Sequence, residues 1–486
     1  MSTTNLHKLT LGDLAESLAR VHCDGVALVD GERRVTFRQL STNATKLANG
    51  IRARGWESGD RVLWLGLNSA RFFEVLFAVA KLGGVLCPAN WRQSTSELEF
   101  ILRDWDPSLV FFDENLVDSD LLRGAGPGSA RWYSIGGEAS GSCHQLMTSS
   151  SDEDEFADVA EDAAAIGIYT AAFDGRPACA LLSHRALLTQ DVLVAQAYEL
   201  SSKEVLLAAG PLFHIASLGL ALANLHVGGR VVVLPKMVPD DMCAAIERHG
   251  CTRAYLPRAL IPQLVEANRQ ASYDLRSLRT PSISPEWDAL VQVDRRPGAG
   301  VQGYGQTELT GLVTFAMLSG DTIGPFGRPS PLATVRVFDE SGNDVEEGGV
   351  GEMVVRGPTV MLGYWNRPEI NAERQRDGWH HTNDLVRREV DGSFTFIGPK
   401  GCLIKSGGEN IYPAEVEAAL GSHPAVAEVS VVGIDDPRWG QAVQAFVVIR
   451  AGAAATEQEL IDVCRARMAS YKKPRLIIFV DRLPAG

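Results

Sequence analysis

The sequence contains no apolar run approaching the roughly 20 residues that a membrane-spanning helix needs, so no stretch reads as a transmembrane segment. It also lacks a basic surplus: the formal net charge is −14, and no basic stripe offsets it, which argues against nucleic acid or an anionic membrane as partner. The eight cysteines include no CxxC pair and no close Cys/His cluster, so neither a zinc site nor a disulfide framework is suggested. The opening residues MSTTNLHKLTLGDLAESLARV have no basic region followed by an apolar core, so they do not read as a secretory signal and the cytoplasm is the default compartment. Internal repeats and low-complexity segments are missing too. The acidic run from Ser151 to Asp162 reads as a solvated connector.

What is present is an ordinary globular composition, 45% hydrophobic and 22% charged, in a 486-residue chain long enough for two or three folding units. Apolar residues at helical spacing mark helices over Leu9 to Val21, Gln39 to Arg54 and Ser69 to Gly83. Between them, Arg61 to Leu67 and Val85 to Cys87 read as buried strands, and the alternation continues through Leu109 to Phe112, Glu204 to Ala209, Leu218 to Leu225 and Val231 to Leu234. Strand–helix–strand alternation implies a parallel sheet with right-handed crossovers. From Val335 the chain changes to short strands with turn signals, and after Gly398-Pro399-Lys400-Gly401 it restarts as a small unit. The expected fold is therefore α/β. A large N-terminal lobe (1–398) would carry parallel and mixed sheets flanked by helices, plus a β-rich subdomain. A small, mobile α+β lobe (399–486) would follow.

Several strings then carry a family resemblance. In order they are Gly59-Asp60-Arg61-Val62, Lys81-Leu82-Gly83-Gly84-Val85, Pro211-Leu212-Phe213-His214, Tyr304-Gly305-Gln306-Thr307-Glu308, Gly378 to Asp384 (GWHHTND) and Ile404 to Pro413 (IKSGGENIYP). Together they resemble the adenylate-forming superfamily of acyl-CoA synthetases, luciferases and peptide-synthetase adenylation domains, over nearly the whole chain. That resemblance implies a carboxylic acid activated with ATP and Mg²⁺ to an acyl-adenylate, then passed to coenzyme A after rotation of the small lobe.

The resemblance also implies roles. Tyr304 would stack on adenine, Thr307 would bond a phosphate oxygen, and Glu308 would hold Mg²⁺, a hard cation suited to carboxylate and phosphate oxygens. Asp384 would accept from the ribose hydroxyls, although Asn383 stands where the family has glycine. Thr170 and Gly175 fall in the phosphate loop. His214 would gate an acyl pocket that also takes in Gly303 and Gly305. For coenzyme A, Gly407 and Gly408 would let the pantetheine arm approach the backbone, Trp439 would pack against it, and Lys472 and Lys473 would meet its phosphates; by themselves those two lysines read as a solvated pair.

The departures cluster on the nucleotide side. The phosphate loop is TAAFDGRPAC over Thr170 to Cys179, where the family has roughly TSGTTGxPKG; Ala178 replaces the lysine, and Asp174 adds a charge. A carboxylate about 4 Å from one phosphate charge costs on the order of 4 kcal/mol at an effective dielectric near 20. The adenine loop is Ser282-Ile283-Ser284-Pro285-Glu286, Pro399 stands in place of an arginine, Gly401 takes the pivot position and Cys402 follows it. The resemblance puts the lysine that drives adenylation shortly after Leu483-Pro484, beyond Gly486, where the sequence ends. Two expectations follow. One is an acyl-CoA synthetase acting on a hydrophobic fatty or aryl acid. The other is a remodelled member that binds or transforms acyl-CoA or acyl-adenylate without ATP, or a binding pseudoenzyme. Its partners would be a small carboxylic acid or acyl-CoA, and a homodimer is left open.

Overall fold

The computed structural model describes residues 8–117, 122–124, 126–137, 141–148, 150–153, 158–173, 176–296, 303–316, 322–400, 404–411 and 413–483. The expected phosphate-loop positions Asp174 and Gly175, the pivot Gly401 and Cys402 lie outside the described residues.

The apolar runs of the first 250 residues become the central strands of two sheets. One has five strands in the order Arg253–Ala254, Val205–Ala208, Arg230–Val233, Val26–Asp30, Arg33–Thr36, parallel except for the last hairpin. The other has seven, in the order Gly363–Tyr364, Arg176–Ser183, Ala164–Phe173, Val85–Pro88, Arg61–Leu65, Leu109–Phe112, Arg131–Ser134. Its strands Val85–Pro88 and Leu109–Phe112 are buried at every position, as expected of a parallel sheet covered on both faces. Between the sheets runs the helix Ala70–Lys81, almost entirely buried, with Phe72, Phe73 and Phe77 at its centre. Its buried Glu74 is answered by Arg33 and Arg71.

The stretch Tyr169 to His184 lies next to the edge of this second sheet, flanked by the short strand Gly363–Tyr364. Ala164–Phe173 and Arg176–Ser183 pair antiparallel, with Tyr169 opposite Cys179 and Thr170 opposite Ala178. Ser183 then caps the helix His184–Tyr198 through its hydroxyl, which accepts from the Ala186 amide at 3.1 Å. The helix expected from Leu218 begins one turn earlier, at Ile215, with His214 as its N-cap residue.

The β-rich subdomain is a five-stranded antiparallel sheet built on Val350–Arg356 and Trp379–Arg388. Phe394–Pro399 pairs with Trp379–Arg388, and the Lys400 amide donates to Asn383 O at 2.8 Å, so the chain stays attached to the large lobe through Lys400. From Ile404 a second core begins, with the long hairpin Val426–Asp436 and Gly440–Ile449 at its centre and the helices Pro413–Gly421 and Glu457–Arg467 packed on it.

The lobes meet at the helix Thr95–Trp105. Ser94 and Glu97 form a capping box at its start, and Ser96 Oγ donates to Ala466 O at 3.1 Å. Beside it Lys472 is buried, with its ammonium 3.0 Å from Glu97 Oε1 and 2.6 Å from Glu415 Oε1. This corrects the reading of Lys472 as a phosphate-binding or solvated lysine. Two carboxylates, one from each lobe, hold it charged despite burial, which alone would lower its pKa.

Candidate functional site

The Pro-Leu-Phe-His string places His214 at the mouth of the helix Ile215–His226, and the Ser-Gly-Gly-Glu string brings Glu409 to it. His214 Nε2 lies 3.4 Å from Glu409 Oε2, without the alignment of a hydrogen bond. Arg92 donates to the other carboxylate oxygen, and its guanidinium sits 5.2 Å from the Phe213 ring and 5.7 Å from Tyr471. Burial alone would raise the Glu409 pKa; His214 and Arg92 together pull it down to about 2. His214 of the large lobe and the Ser406-to-Glu409 loop of the small lobe are therefore already in contact.

That loop has the backbone its glycines require. Gly407 and Gly408 sit at φ +59 and +84, and a Cβ on Gly407 would come within 2.8 Å of the Trp439 ring. The Gly407 amide donates to Trp439 O at 2.8 Å. Trp439 has Arg438 and Arg475 at 4.8 and 5.2 Å from its ring, while its indole Nε1 is buried without a partner. Lys473 donates to Ser470 O at 2.8 Å; partial burial, then Arg465 and Arg475, lower its pKa. An aromatic plate edged by cations suits an anionic, adenine-bearing thiol such as coenzyme A.

The Tyr304-to-Glu308 string forms a short hairpin and a 3-10 turn. Gly303 and Gly305 are fixed by close backbone approach: a Cβ on either would fall 2.3 Å from Thr314 O or 2.2 Å from Gly311 O. Asp384 Oδ2 accepts from the Tyr304 hydroxyl at 2.7 Å and from Gln306 Nε2 at 3.3 Å, and burial raises its pKa. Tyr304, expected to stack on adenine, is 5% exposed, and its ring stacks on Phe396 at 6.3 Å.

Glu308 is also buried, its Oε1 accepting from the Tyr364 hydroxyl at 2.7 Å, and burial raises its pKa. Among the described residues no group of three or more His, Cys, Asp or Glu could hold a metal by itself. A lone buried carboxylate still fits Mg²⁺ bridged to phosphates, the usual donor set for that ion. Thr307 is half-buried at the same turn.

On the phosphate-loop hairpin the Thr170 hydroxyl donates to Ala178 O at 3.3 Å, so in this arrangement it is spent across the strands. Ala178 and Cys179 are fully buried. Sequence reasoning missed three participants: Arg92, Glu409 and Tyr364. Glu409 lay inside a quoted string, whereas Arg92 and Tyr364 carried no signal of their own.

The model of the AMP-binding enzyme family matches residues 15–365, and that of the AMP-binding enzyme C-terminal domain matches 415–485. The chain belongs to the AMP-binding enzyme family. It is 36% identical over 481 residues to a feruloyl-CoA synthase from Amycolatopsis, spanning 98% of this chain and 96% of that protein. An indoleacetate–CoA ligase from Aromatoleum aromaticum is 34% identical over 472 residues, spanning 93% of this chain and 91% of the other. Among solved structures, a double mutant of o-succinylbenzoate CoA synthetase from Bacillus subtilis, bound with its product analogue OSB-NCoA, superposes with a TM-score of 0.83. It is 26% identical and covers 97% of this chain and 95% of that one. The adenylate-forming fold is thus established, and the chain is acyl-CoA synthetase-like. No described helix is long and apolar enough to cross a membrane.

Proposed function

We propose that the protein joins an aromatic carboxylic acid to coenzyme A through an acyl-adenylate. The observation that carries this is the docking of Glu409, on the thiol-side loop, against His214 at the acyl gate. The ring-bearing acids of the feruloyl-CoA synthase and indoleacetate–CoA ligase relatives support an aromatic substrate. In the first half-reaction the acid's carboxylate attacks the α-phosphate of ATP and pyrophosphate leaves. In the second, the coenzyme A thiol attacks the acyl carbonyl, and AMP leaves with the electrons of the mixed-anhydride bond.

Each residue then has a task in its own chemistry. Asp384 would accept the ribose hydroxyls, and Thr307 would donate to a phosphate oxygen. Glu308 would hold Mg²⁺, which when bound neutralises phosphate charge. The acyl group would pass His214, while the Gly407-Gly408 backbone, Trp439 and Lys473 would hold the incoming thiol cofactor.

A second reading, a member that handles acyl-CoA without ATP, is favoured by the sealed Ala178 position and the enclosed Tyr304 ring. ATP–pyrophosphate exchange with a panel of cinnamic, indolic and benzoic acids separates the two. Acid-dependent exchange is the expected result. Absence of exchange, together with binding of the corresponding acyl-CoA esters, would establish the second reading instead.

A further inference from the structure

The helix His184–Tyr198 carries two adjacent buried polar residues with different fates. Asp191 is answered within the chain, its Oδ2 lying 3.3 Å from His226 Nδ1. Gln190 is not. It is 3% exposed, and its Oε1 is buried without any hydrogen-bond partner. Buried polar groups are nearly always paired, and leaving one unpaired costs as much as losing a hydrogen bond or more.

The carboxamide ends among glycine backbone and apolar side chains. It lies against Gly311, where a Cβ would come within 3.1 Å of Gln190 Nε2. Gly311 sits at φ +124 and pairs with Gln306 in the hairpin that also holds Gly305. Leu193, Ala197 and Phe315 form an apolar cluster on the same side, with Leu312 packed on it. The helix that begins after His214 packs on the strand Gly311–Leu312, as does the helix of Gln190. One lone amide among apolar side chains and bare glycine backbone is the pattern of a pocket with a single orienting polar group.

We infer that Gln190 sets the specificity of the acyl pocket by accepting a hydrogen bond from a donor on the acid's ring, a phenolic hydroxyl or a ring N–H. This rests on the acyl-CoA reading above and narrows its substrate class to aromatic acids that carry such a donor. An acid without the donor leaves Oε1 unpaired in the complex, so the site discriminates against it. In the free protein the amide is a local cost that the substrate relieves.

The test is calorimetric binding of 4-hydroxycinnamoyl-CoA, 4-methoxycinnamoyl-CoA and cinnamoyl-CoA to the wild-type chain and to Gln190→Met, with the Tm of each ligand-free protein. Methionine keeps the length and removes the polar end. Expected is about ten- to hundredfold tighter binding of the hydroxy ester by the wild type. In Gln190→Met the three esters should converge to within about twofold, while the ligand-free Tm rises because an unpaired buried group has gone. Equal binding of the three esters by the wild type, or a preference unchanged in Gln190→Met, overturns the role of Gln190 and leaves the acyl-CoA reading standing. Failure of all three esters to bind overturns both.

Discussion

Glu409 and His214 face each other across the lobe boundary, 3.4 Å apart, with Arg92 holding the far side of the carboxylate. The contact fixes where the loop of Glu409 meets His214, so if these are the thiol-side loop and acyl gate, as proposed, its loss should affect transfer to the thiol. Glu409→Gln is expected to slow thioester formation from a synthetic acyl-adenylate and coenzyme A by about ten- to hundredfold, the worth of one charge-assisted contact. Affinity for the acyl-adenylate itself should change little. An unchanged transfer rate would show that the contact plays no part in the thiol step. Supplying the adenylate ready-made keeps this test independent of whether the protein uses ATP.

Glu97 does two jobs with its two oxygens. Oε2 accepts from the Ser94 amide at 2.9 Å and closes the helix cap, while Oε1 accepts from Lys472 of the small lobe at 3.0 Å. Glutamine at this position keeps the cap, because a capping box accepts either residue. Glu97→Gln should therefore leave thermal unfolding of the large lobe unchanged but loosen the small one, seen as a larger radius of gyration in small-angle scattering. Lys472→Ala removes the partner of buried Glu415 as well and should cost about 3–5 kcal/mol of small-lobe stability. A compact Glu97→Gln protein would show that the lobes are held by other contacts.

The strings that located the family were legible because they are backbone devices. Glycines at φ +59 and +84 and a glycine pressed on Gly311 O leave little choice of residue, so their order survives in sequence. The alternation of apolar strands and helices was legible for the same local reason. What could not be read depends on partners far away in the chain. Lys472 looks solvated in Tyr-Lys-Lys-Pro until Glu97, 375 positions earlier, is placed beside it. Gln190 looks like any polar residue of an amphipathic helix until burial shows that its oxygen has no partner. Tyr304 kept its motif, yet its ring stacks on Phe396, which the motif alone does not show.

His184 ties the phosphate-loop hairpin to the first helix, its Nδ1 accepting from the Leu11 amide at 3.2 Å. Burial pushes its pKa down to about 4, only partly offset by Asp13. Between the ordinary value near 6.5 and about 4, the unfolded chain binds a proton that the folded chain refuses, so this residue's stability contribution falls as pH falls through that window. The full loss is on the order of 3 kcal/mol. His380, buried and pushed down to about 3, acts in the same direction. Urea unfolding at pH 7 and pH 5 should show a smaller difference for His184→Gln than for the wild type. An identical difference would mean that His184 titrates normally.

Ala178 occupies the place of the family's phosphate-loop lysine, and the structure makes that replacement hard to reverse. Its side chain is fully buried in the main core cluster, and its carbonyl already accepts the Thr170 hydroxyl at 3.3 Å. Cys179 beside it is equally sealed, its thiol pKa raised by burial first. A lysine introduced at 178 would either lose its charge to the core or force the hairpin apart, and an unpaired buried charge costs several kcal/mol. Ala178→Lys is therefore expected to lower the Tm without raising ATP affinity, measured by thermal unfolding and by calorimetric titration. A variant that keeps its Tm and binds ATP about tenfold tighter would show instead that the hairpin can open toward a phosphate, and that only the side chain, not the packing around it, separates this loop from those of its relatives.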